Sequence, residues 1–142
     1  PDPMPPVQFY EQLDPAVFVL RLVPGMRADI IPLLAPHYRA LVVESFGVGG
    51  LPGGEHGEMY ARLQDWCTSG RLAVFTTQVP HEGCDLAVYE VGRSVKELPG
   101  VLEAKDMTPE AVAVKLMWAL GQTTDRAEAM RLFTTPVEWD IV

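Results

Sequence analysis

Four short apolar segments, separated by stretches with helical or loop character, constrain the fold of this chain more than any other feature. They are rich in β-branched and aromatic residues and cover residues 18–23, 40–44, 72–77 and 101–104. Continuous apolar runs of this kind are typical of strands that are buried on both faces of a parallel sheet. Strands that alternate with helices pair in parallel through right-handed crossovers. The sequence therefore predicts an α/β domain with a four-stranded parallel sheet.

The segments between and after these strands carry helix signals. An apolar stripe at positions i, i+4, i+7 and i+8 begins at Met59, and Gly70 is expected to end that helix. Thr108 before Pro109 is the clearest helix start, and Gly121 is expected to end the helix that it opens. Further helices are expected at residues 30–35 with Asp29 as the cap, within residues 88–98, and at residues 125–133. This alternation predicts a flavodoxin-like, three-layer domain.

The first 14 residues differ in composition from the rest of the chain. Four of the first six residues are proline, and proline fixes φ and removes a hydrogen-bond donor. Residues 1–14 are therefore predicted to be a proline-rich interdomain linker, and residues 15–142 to be the folded domain. Because the chain starts at Pro1 and no signal-like segment follows, we expect it to be cut from a longer protein.

Composition argues against several classes of function. The formal net charge is −8, with 19 acidic and 11 basic residues, which argues against a nucleic-acid partner. No apolar run approaches the roughly 20 residues that a membrane-spanning helix needs. Two cysteines, Cys67 and Cys84, make neither a disulfide framework nor a zinc site. Reduced thiols are typical of a cytoplasmic protein, and we expect no metal and no other cofactor.

The loops that leave the carboxyl ends of the strands are the expected contact edge, because ligands bind there in open parallel sheets. They cover residues 24–26, 46–54 and 78–85. Six glycines lie between residues 47 and 57. So many glycines in one strand-to-helix loop predict close backbone contact with a ligand or a partner, although glycines that only let the chain turn explain the pattern equally well.

No complete catalytic or cofactor motif is found in the sequence. A Gly-x-Gly-x-x-Gly motif would need a third glycine where Pro52 stands, and Gly-Lys-Ser/Thr does not occur. His81-Glu82 lacks the second histidine of a metalloprotease signature. Cys84 lies near His81, but no third group orients such a pair. The residues alone therefore predict a parallel α/β domain with a contact edge and without a catalytic set.

Six motifs follow one another in a characteristic order: Leu22-Val23-Pro24-Gly25-Met26, Leu41-Val42-Val43-Glu44-Ser45-Phe46-Gly47-Val48-Gly49-Gly50, Thr76-Thr77-Gln78, Tyr89-Glu90-Val91-Gly92, Asp106-Met107-Thr108-Pro109-Glu110-Ala111 and Lys115-Leu116-Met117-Trp118. Together they resemble the C-terminal domain of bacterial cytoplasmic (type I) L-asparaginases. The resemblance covers nearly the whole chain after the linker.

The resemblance implies an amidohydrolase that converts L-asparagine to L-aspartate and ammonia. In that family a nucleophilic threonine, a second threonine, a lysine and an aspartate belong to a larger N-terminal domain, so this chain is expected to hold no catalytic residue. The family's C-terminal domain contacts a neighbouring subunit and helps to close that subunit's active site. The implied partners are therefore the protein's own N-terminal domain, asparagine, and further copies in a homo-oligomer.

The resemblance also suggests substrate-binding residues. Related sequences often have Gly-Asn where this chain has Gly49-Gly50, so backbone groups would take the place of the asparagine side chain. Glu82 is the nearest counterpart of a loop glutamate that reaches the neighbouring subunit's substrate in periplasmic relatives. Some type I members place a cysteine of an asparagine effector site directly after Thr-Gln. That position is Val79 here, so the resemblance does not extend to this effector contact.

Two other functions remain open from the sequence. One is the asparaginase-like subunit of a tRNA-dependent amidotransferase, which the acidic composition disfavours because RNA contact needs basic surface. The other is a free-standing small-molecule binding module of flavodoxin type. A tightly bound flavin would favour the binding module, whereas a Thr-rich domain encoded upstream would favour the asparaginase.

Overall fold

A computed structural model describes residues 11–46, 50–77 and 90–137, together with residues 3, 6 and 9. Four strands alternate with helices along these segments. The strands are β1 (Val17–Arg21), β2 (Ala40–Ser45), β3 (Leu72–Thr77) and β4 (Val101–Glu103). The helices are α1 (Ile30–Leu34), α2 (Glu58–Thr68), α3 (Glu90–Lys96), α4 (Pro109–Gln122) and α5 (Arg126–Thr134), and a 3₁₀ turn at Gly54–His56 precedes α2.

The four strands form one parallel sheet in the order β1-β2-β3-β4. Each crossover carries the chain in the same direction across the sheet, so right-handed connections place their helices on one face. Buried side chains from α1, α2 and α3 indeed share a core with one face of the sheet, and those from α4 and α5 share a core with the other. The predicted four-stranded, three-layer α/β domain is confirmed.

Alternation along the central strands separates the two cores. Leu41, Val43 and Phe75 face the core of α1, α2 and α3, whereas Val42 and Val74 face the core of α4 and α5, and all five are fully buried. Side chains of successive strand residues point to opposite faces. The continuous apolar runs of β2 and β3 therefore reflect burial on both faces, as the sequence predicted.

The structure differs from two predicted helix boundaries, the start of α1 and the end of α4. Asp29 does not cap α1, because its own backbone is already helical (φ −64°, ψ −13°), and its carboxylate pairs instead with Arg27 Nη2 at 2.7 Å. An N-cap residue needs an extended backbone for its side chain to reach the first amides. Gly121 does not end α4, which continues to Gln122. The backbone of Gln12 and Leu13 occupies the space beside Gly121.

The remaining boundaries lie within a few residues of the predictions. β1 begins one residue earlier and ends two residues earlier than expected, because a turn closed by Met26 N donating to Val23 O (3.1 Å) begins at once. Gly25 in that turn has a φ of +81°, which favours glycine. The expected apolar stripe of α2 is confirmed, since Met59, Leu63, Trp66 and Cys67 are all buried.

Candidate functional site

The carboxyl edge of the sheet is the candidate site, and buried polar groups hold the ends of its two central strands together. Ser45 is the last residue of β2 and pairs in register with Thr77 of β3. Its Oγ donates to the backbone oxygen of Thr76 at 3.1 Å, and both side chains are buried. Sequence reasoning missed Ser45, although a hydroxyl at the end of an apolar strand is a visible signal. Because this hydroxyl is bonded inside the fold, it braces the edge and does not face a substrate.

Two described residues of the glycine-rich loop after β2, Phe46 and Gly50, contact each other. Phe46 and Gly50 form an antiparallel bridge, and Gly50 N donates to Phe46 O at 3.1 Å. A Cβ at Gly50 would lie 2.7 Å from Phe46 O and 3.0 Å from the ring carbon Cε2 of Phe46. Such distances are shorter than ordinary van der Waals contact, so this position accepts only glycine without rearrangement. This internal contact explains the glycine at position 50, whether or not Gly50 also binds a ligand.

Contacts and backbone conformation within the domain also explain the other described glycines of this loop. Gly53 and Gly54 adopt φ values of +79° and +70°, in the left-handed region. A Cβ at Gly57 would lie 2.8 Å from the carbonyl carbon of Gly53. Turn geometry and close packing therefore account for each glycine of the loop that the structure describes. The substrate-binding role of Gly50 remains a prediction, and Gly49 and Glu82 lie outside the described residues.

An ion pair joins α3 to the short strand β4. Lys96 Nζ is 3.2 Å from Glu103 Oε1, and the carboxylate side chain is 22% exposed. The pair joins the last residue of α3 to the last residue of β4. The pair therefore ties α3 to β4, the edge strand of the sheet.

The described cysteine is unsuited to nucleophilic chemistry. Cys67 is fully buried in α2. Burial raises the pKa of its thiol to about 11, and the nearby Arg126 guanidinium offsets only part of this effect. A thiol needs to lose its proton to become a nucleophile. Cys84 and His81, the other candidate pair, lie outside the described residues.

The described histidines and carboxylates form no metal centre. His37 lies in the turn between α1 and β2, whereas His56 lies in the 3₁₀ turn before α2, so the two are at opposite edges of the sheet. Within residues 11–46, 50–77 and 90–137, no three His, Cys, Asp or Glu side chains come together as a metal site would require. Over the same ranges, no helix is long and apolar enough to cross a membrane.

An open cavity of about 320 Å³ lies at the opposite, amino edge of the sheet, with Arg39, Arg71 and Arg126 in its lining. Each guanidinium donates to a carbonyl at a helix end: Arg71 to Ala35 O after α1 (2.7 Å), Arg126 to Cys67 O in α2 (2.5 Å) and Arg39 to Leu120 O in α4 (3.0 Å). Helix C-termini present unpaired carbonyls and partial negative charge. These arginines therefore serve as helix caps, which the sequence did not predict.

Most of the chain is similar in sequence to known proteins. A family model described as the glutaminase/asparaginase C-terminal domain matches residues 16–133. An L-asparaginase of Thermococcus kodakarensis is 37% identical over 133 residues, which cover 94% of this chain and 40% of that protein. A glutamyl-tRNA(Gln) amidotransferase subunit of Metallosphaera sedula is 35% identical over 130 residues, which cover 91% of this chain and 28% of that protein.

Solved structures agree with these matches. The thermostable L-asparaginase from Thermococcus kodakarensis superposes with a TM-score of 0.83 and 36% identity, over 92% of this chain and 39% of that one. L-asparaginase I from Vibrio cholerae superposes with a TM-score of 0.78 and 25% identity, over 91% of this chain and 38% of that one. The chain thus spans about two fifths, or less, of the length of the proteins that it resembles.

Proposed function

The chain belongs to the glutaminase/asparaginase C-terminal domain family, and from this premise we propose that it is the C-terminal domain of an L-asparaginase. The parent protein would hydrolyse L-asparagine to L-aspartate and ammonia. The observation that carries the proposal is the 37% identity to the Thermococcus kodakarensis L-asparaginase over 94% of this chain. The same protein's solved structure superposes with a TM-score of 0.83, which supports the same conclusion from the fold.

We assign the parent protein to the bacterial cytoplasmic, type I group. The motif resemblance suggested this group, and the similarity to L-asparaginase I of Vibrio cholerae supports it at 25% identity. The Thermococcus relative is archaeal. The proposed bacterial origin therefore depends on the motif resemblance and not on that match. A cytoplasmic location follows from the assignment to this group.

We infer that the domain contributes to catalysis by completing a neighbouring subunit's active site. The proposed contacts are backbone groups of Gly49 and Gly50 and the carboxylate of Glu82, all on loops that leave the carboxyl ends of central strands. A carboxylate would orient the ammonium group of an amino-acid substrate. The attacking threonine and its proton-accepting partners would come from the preceding domain. The braced strand ends at Ser45 and Thr76 support this division, since a rigid edge holds the contributed groups in position.

The proposal is tested on the full-length parent protein. Purified parent protein should release ammonia from L-asparagine without any added nucleotide or RNA. A parent protein that binds asparagine but releases no ammonia under any buffer condition would reject the assignment.

A second function has specific support. The amidotransferase subunit of Metallosphaera sedula is 35% identical to this chain, close to the value for the asparaginase. If the parent protein is such a subunit, it should transfer amide nitrogen to glutamyl-tRNA(Gln) when its partner subunit is present. Assays of free asparagine hydrolysis and of tRNA-dependent amide transfer on the same preparation separate the two. The net charge of −8 favours the asparaginase, because RNA contact needs basic surface.

A further inference from the structure

The last residues before β1 pack against the C-terminal end of α4. Asp14 N donates to Met117 O at 2.9 Å, and the side chain of Gln122 donates through Nε2 to Gln12 O at 3.0 Å. These two hydrogen bonds join residues that are more than a hundred positions apart in the sequence. The segment 12–16 is therefore attached to a helix that forms near the other end of the chain.

Gly121 makes this attachment close. A Cβ at Gly121 would lie 2.8 Å from the carbonyl carbon of Gln12 and 3.1 Å from the Cα of Leu13. Real Cβ atoms do not approach backbone so closely, so the segment occupies the space that any side chain at this position would need. Gly121 therefore has a packing role inside α4, in place of the helix-ending role that the sequence predicted.

Arg39 ties the segment to the same helix end from the other side. Its Nη1 lies 2.6 Å from Asp14 Oδ2 and 3.0 Å from Leu120 O, and its Nη2 donates to Thr123 O at 3.2 Å. The second oxygen of Asp14 accepts from Ala16 N at 2.9 Å. Burial would raise the pKa of Asp14, but the hydrogen bonds from Arg39 and Ala16 outweigh this effect and hold it below its usual value.

We propose that residues 12–16 form a clasp that fixes the direction in which the preceding polypeptide enters this domain. The joint between this domain and whatever precedes it then lies before Gln12, and not between residues 14 and 15 as composition alone suggests. A domain that completes another active site needs such a fixed orientation, because misplacement by about 1 Å costs catalysis as much as about a hundredfold. Only this last consequence, and the identity of the preceding polypeptide, rest on the proposed asparaginase function.

The substitution Gly121→Ala tests the clasp by the sign of its effect. In a helix without neighbours, alanine is more stable than glycine, so the melting temperature would rise. With the clasp in place, the new methyl group collides with the backbone of Gln12. We expect a lower melting temperature and at least tenfold faster hydrogen exchange at the Asp14 amide. A higher melting temperature with unchanged exchange at Asp14 would overturn the proposal.

A second variant keeps the test valid if Gly121→Ala does not fold. Asp14→Asn removes the charge that pairs with Arg39 and keeps an acceptor for Ala16 N. Glu128→Gln is the matched control, since Glu128 also pairs with an arginine, Arg131, at 2.6 Å, but within α5 alone. We expect faster exchange at the residue 14 amide only in Asp14→Asn. Equal exchange in both variants and in the original chain would overturn the proposal.

Hydrogen exchange requires no substrate, so the clasp and the proposed function are judged separately. A parent protein without asparaginase activity would reject the function and leave the exchange result standing. Unchanged exchange in the variants of the chain would reject the clasp and leave the asparaginase assignment standing.

Discussion

Burial governs the chemistry of the one cysteine that the structure describes. The Cys67 side chain is completely excluded from solvent, and its carbonyl oxygen accepts a hydrogen bond from Arg126 at 2.5 Å. The guanidinium favours the thiolate, but burial favours the neutral thiol more strongly, and the pKa rises to about 11. Cys67 is therefore a packing residue of α2.

The raised pKa of Cys67 makes stability depend on pH in the alkaline range. In the unfolded chain the thiol loses its proton near pH 9.0, whereas in the folded protein it keeps the proton up to about pH 11. The folded state thus binds more protons between these values, so the free energy of unfolding should fall as pH rises, by at most about 2–3 kcal/mol. Denaturant unfolding at pH 8 to 11 measures this slope.

Cys67→Ala is the control for this prediction, because lysine and tyrosine side chains also titrate in the alkaline range. The variant should be less stable throughout, since a buried group is removed, and should show a shallower loss of stability with pH. Equal slopes for the two proteins would contradict the assignment of the effect to Cys67.

The predicted contact through Glu82 is tested in the full-length parent protein. Glu82→Gln removes the charge proposed to orient the ammonium group of asparagine, so KM for asparagine should rise several-fold while the fold is retained. Glu97→Gln is the control, because Glu97 follows α3 at the amino edge of the sheet. Steady-state kinetics that are the same for Glu82→Gln and the original protein would remove Glu82 from the site.

At the scale of the elements, α4 and α5 both begin with side-chain caps, of which the sequence predicted the one at Thr108. Thr108 Oγ1 accepts from Ala111 N at 3.2 Å, and Asp125 Oδ2 accepts from Glu128 N at 3.3 Å. Both cap residues have extended backbones, which Asp29 at α1 lacks. The contrast shows that a capping residue in the sequence becomes a cap only where the backbone turns before the helix.

Thr108→Ala should lower the free energy of unfolding by about 1 kcal/mol, because the Ala111 amide loses its partner at the start of α4. Chemical denaturation of the 142-residue chain measures the change. Thr134→Ala is a suitable control, since Thr134 is an exposed threonine in the last turn of α5 and should change stability by less than about 0.5 kcal/mol. A smaller loss for Thr108→Ala than for Thr134→Ala would contradict the role of the cap.

At the scale of the whole molecule, we predict that the 142-residue chain alone hydrolyses no asparagine. Hydrolysis by a hydroxyl nucleophile needs the hydroxyl, a base and donors for the oxyanion. Ser45 and Thr76, at the carboxyl edge, are buried, and the Ser45 hydroxyl donates to the backbone oxygen of Thr76. Ammonia release should be at least about a thousandfold below that of the parent protein, while circular dichroism shows a folded domain. Turnover that survives further purification and is lost in Thr77→Ala would show that the active site lies in this chain.

We also predict that the parent protein is at least a homodimer, with residues 46–54 at or near an intersubunit site. Symmetric pairing is the commonest form of assembly among soluble oligomers. Sedimentation of the full-length protein measures its state, and a monomer with full asparaginase activity would contradict the prediction. The isolated chain is expected to sediment as a monomer, because half of the contacts would come from the preceding domain.

Local patterns determined much of this protein from the sequence alone. Periodicity and spacing predicted β2, β3, the apolar stripe of α2 and the Thr108 cap. Each of these features depends on residues that are close together in the sequence. The six motifs indicated an asparaginase C-terminal domain, and the comparisons showed that family, whereas the type I assignment stays a prediction. The substrate-binding roles of Gly49, Gly50 and Glu82 stay predictions.

Only the tertiary structure decided which distant groups meet. The sequence around Gly121 predicts a helix end, but in the fold Gly121 makes room for the backbone of Gln12. Arg39 caps α4 because Leu120 O, 81 residues away in the sequence, lies 3.0 Å from its guanidinium. Likewise, the bond from Ser45 to Thr76 exists because two parallel strands align in register. The spacing of residues along the sequence does not predict such contacts, because they form only when the sheet and its two helical layers pack together.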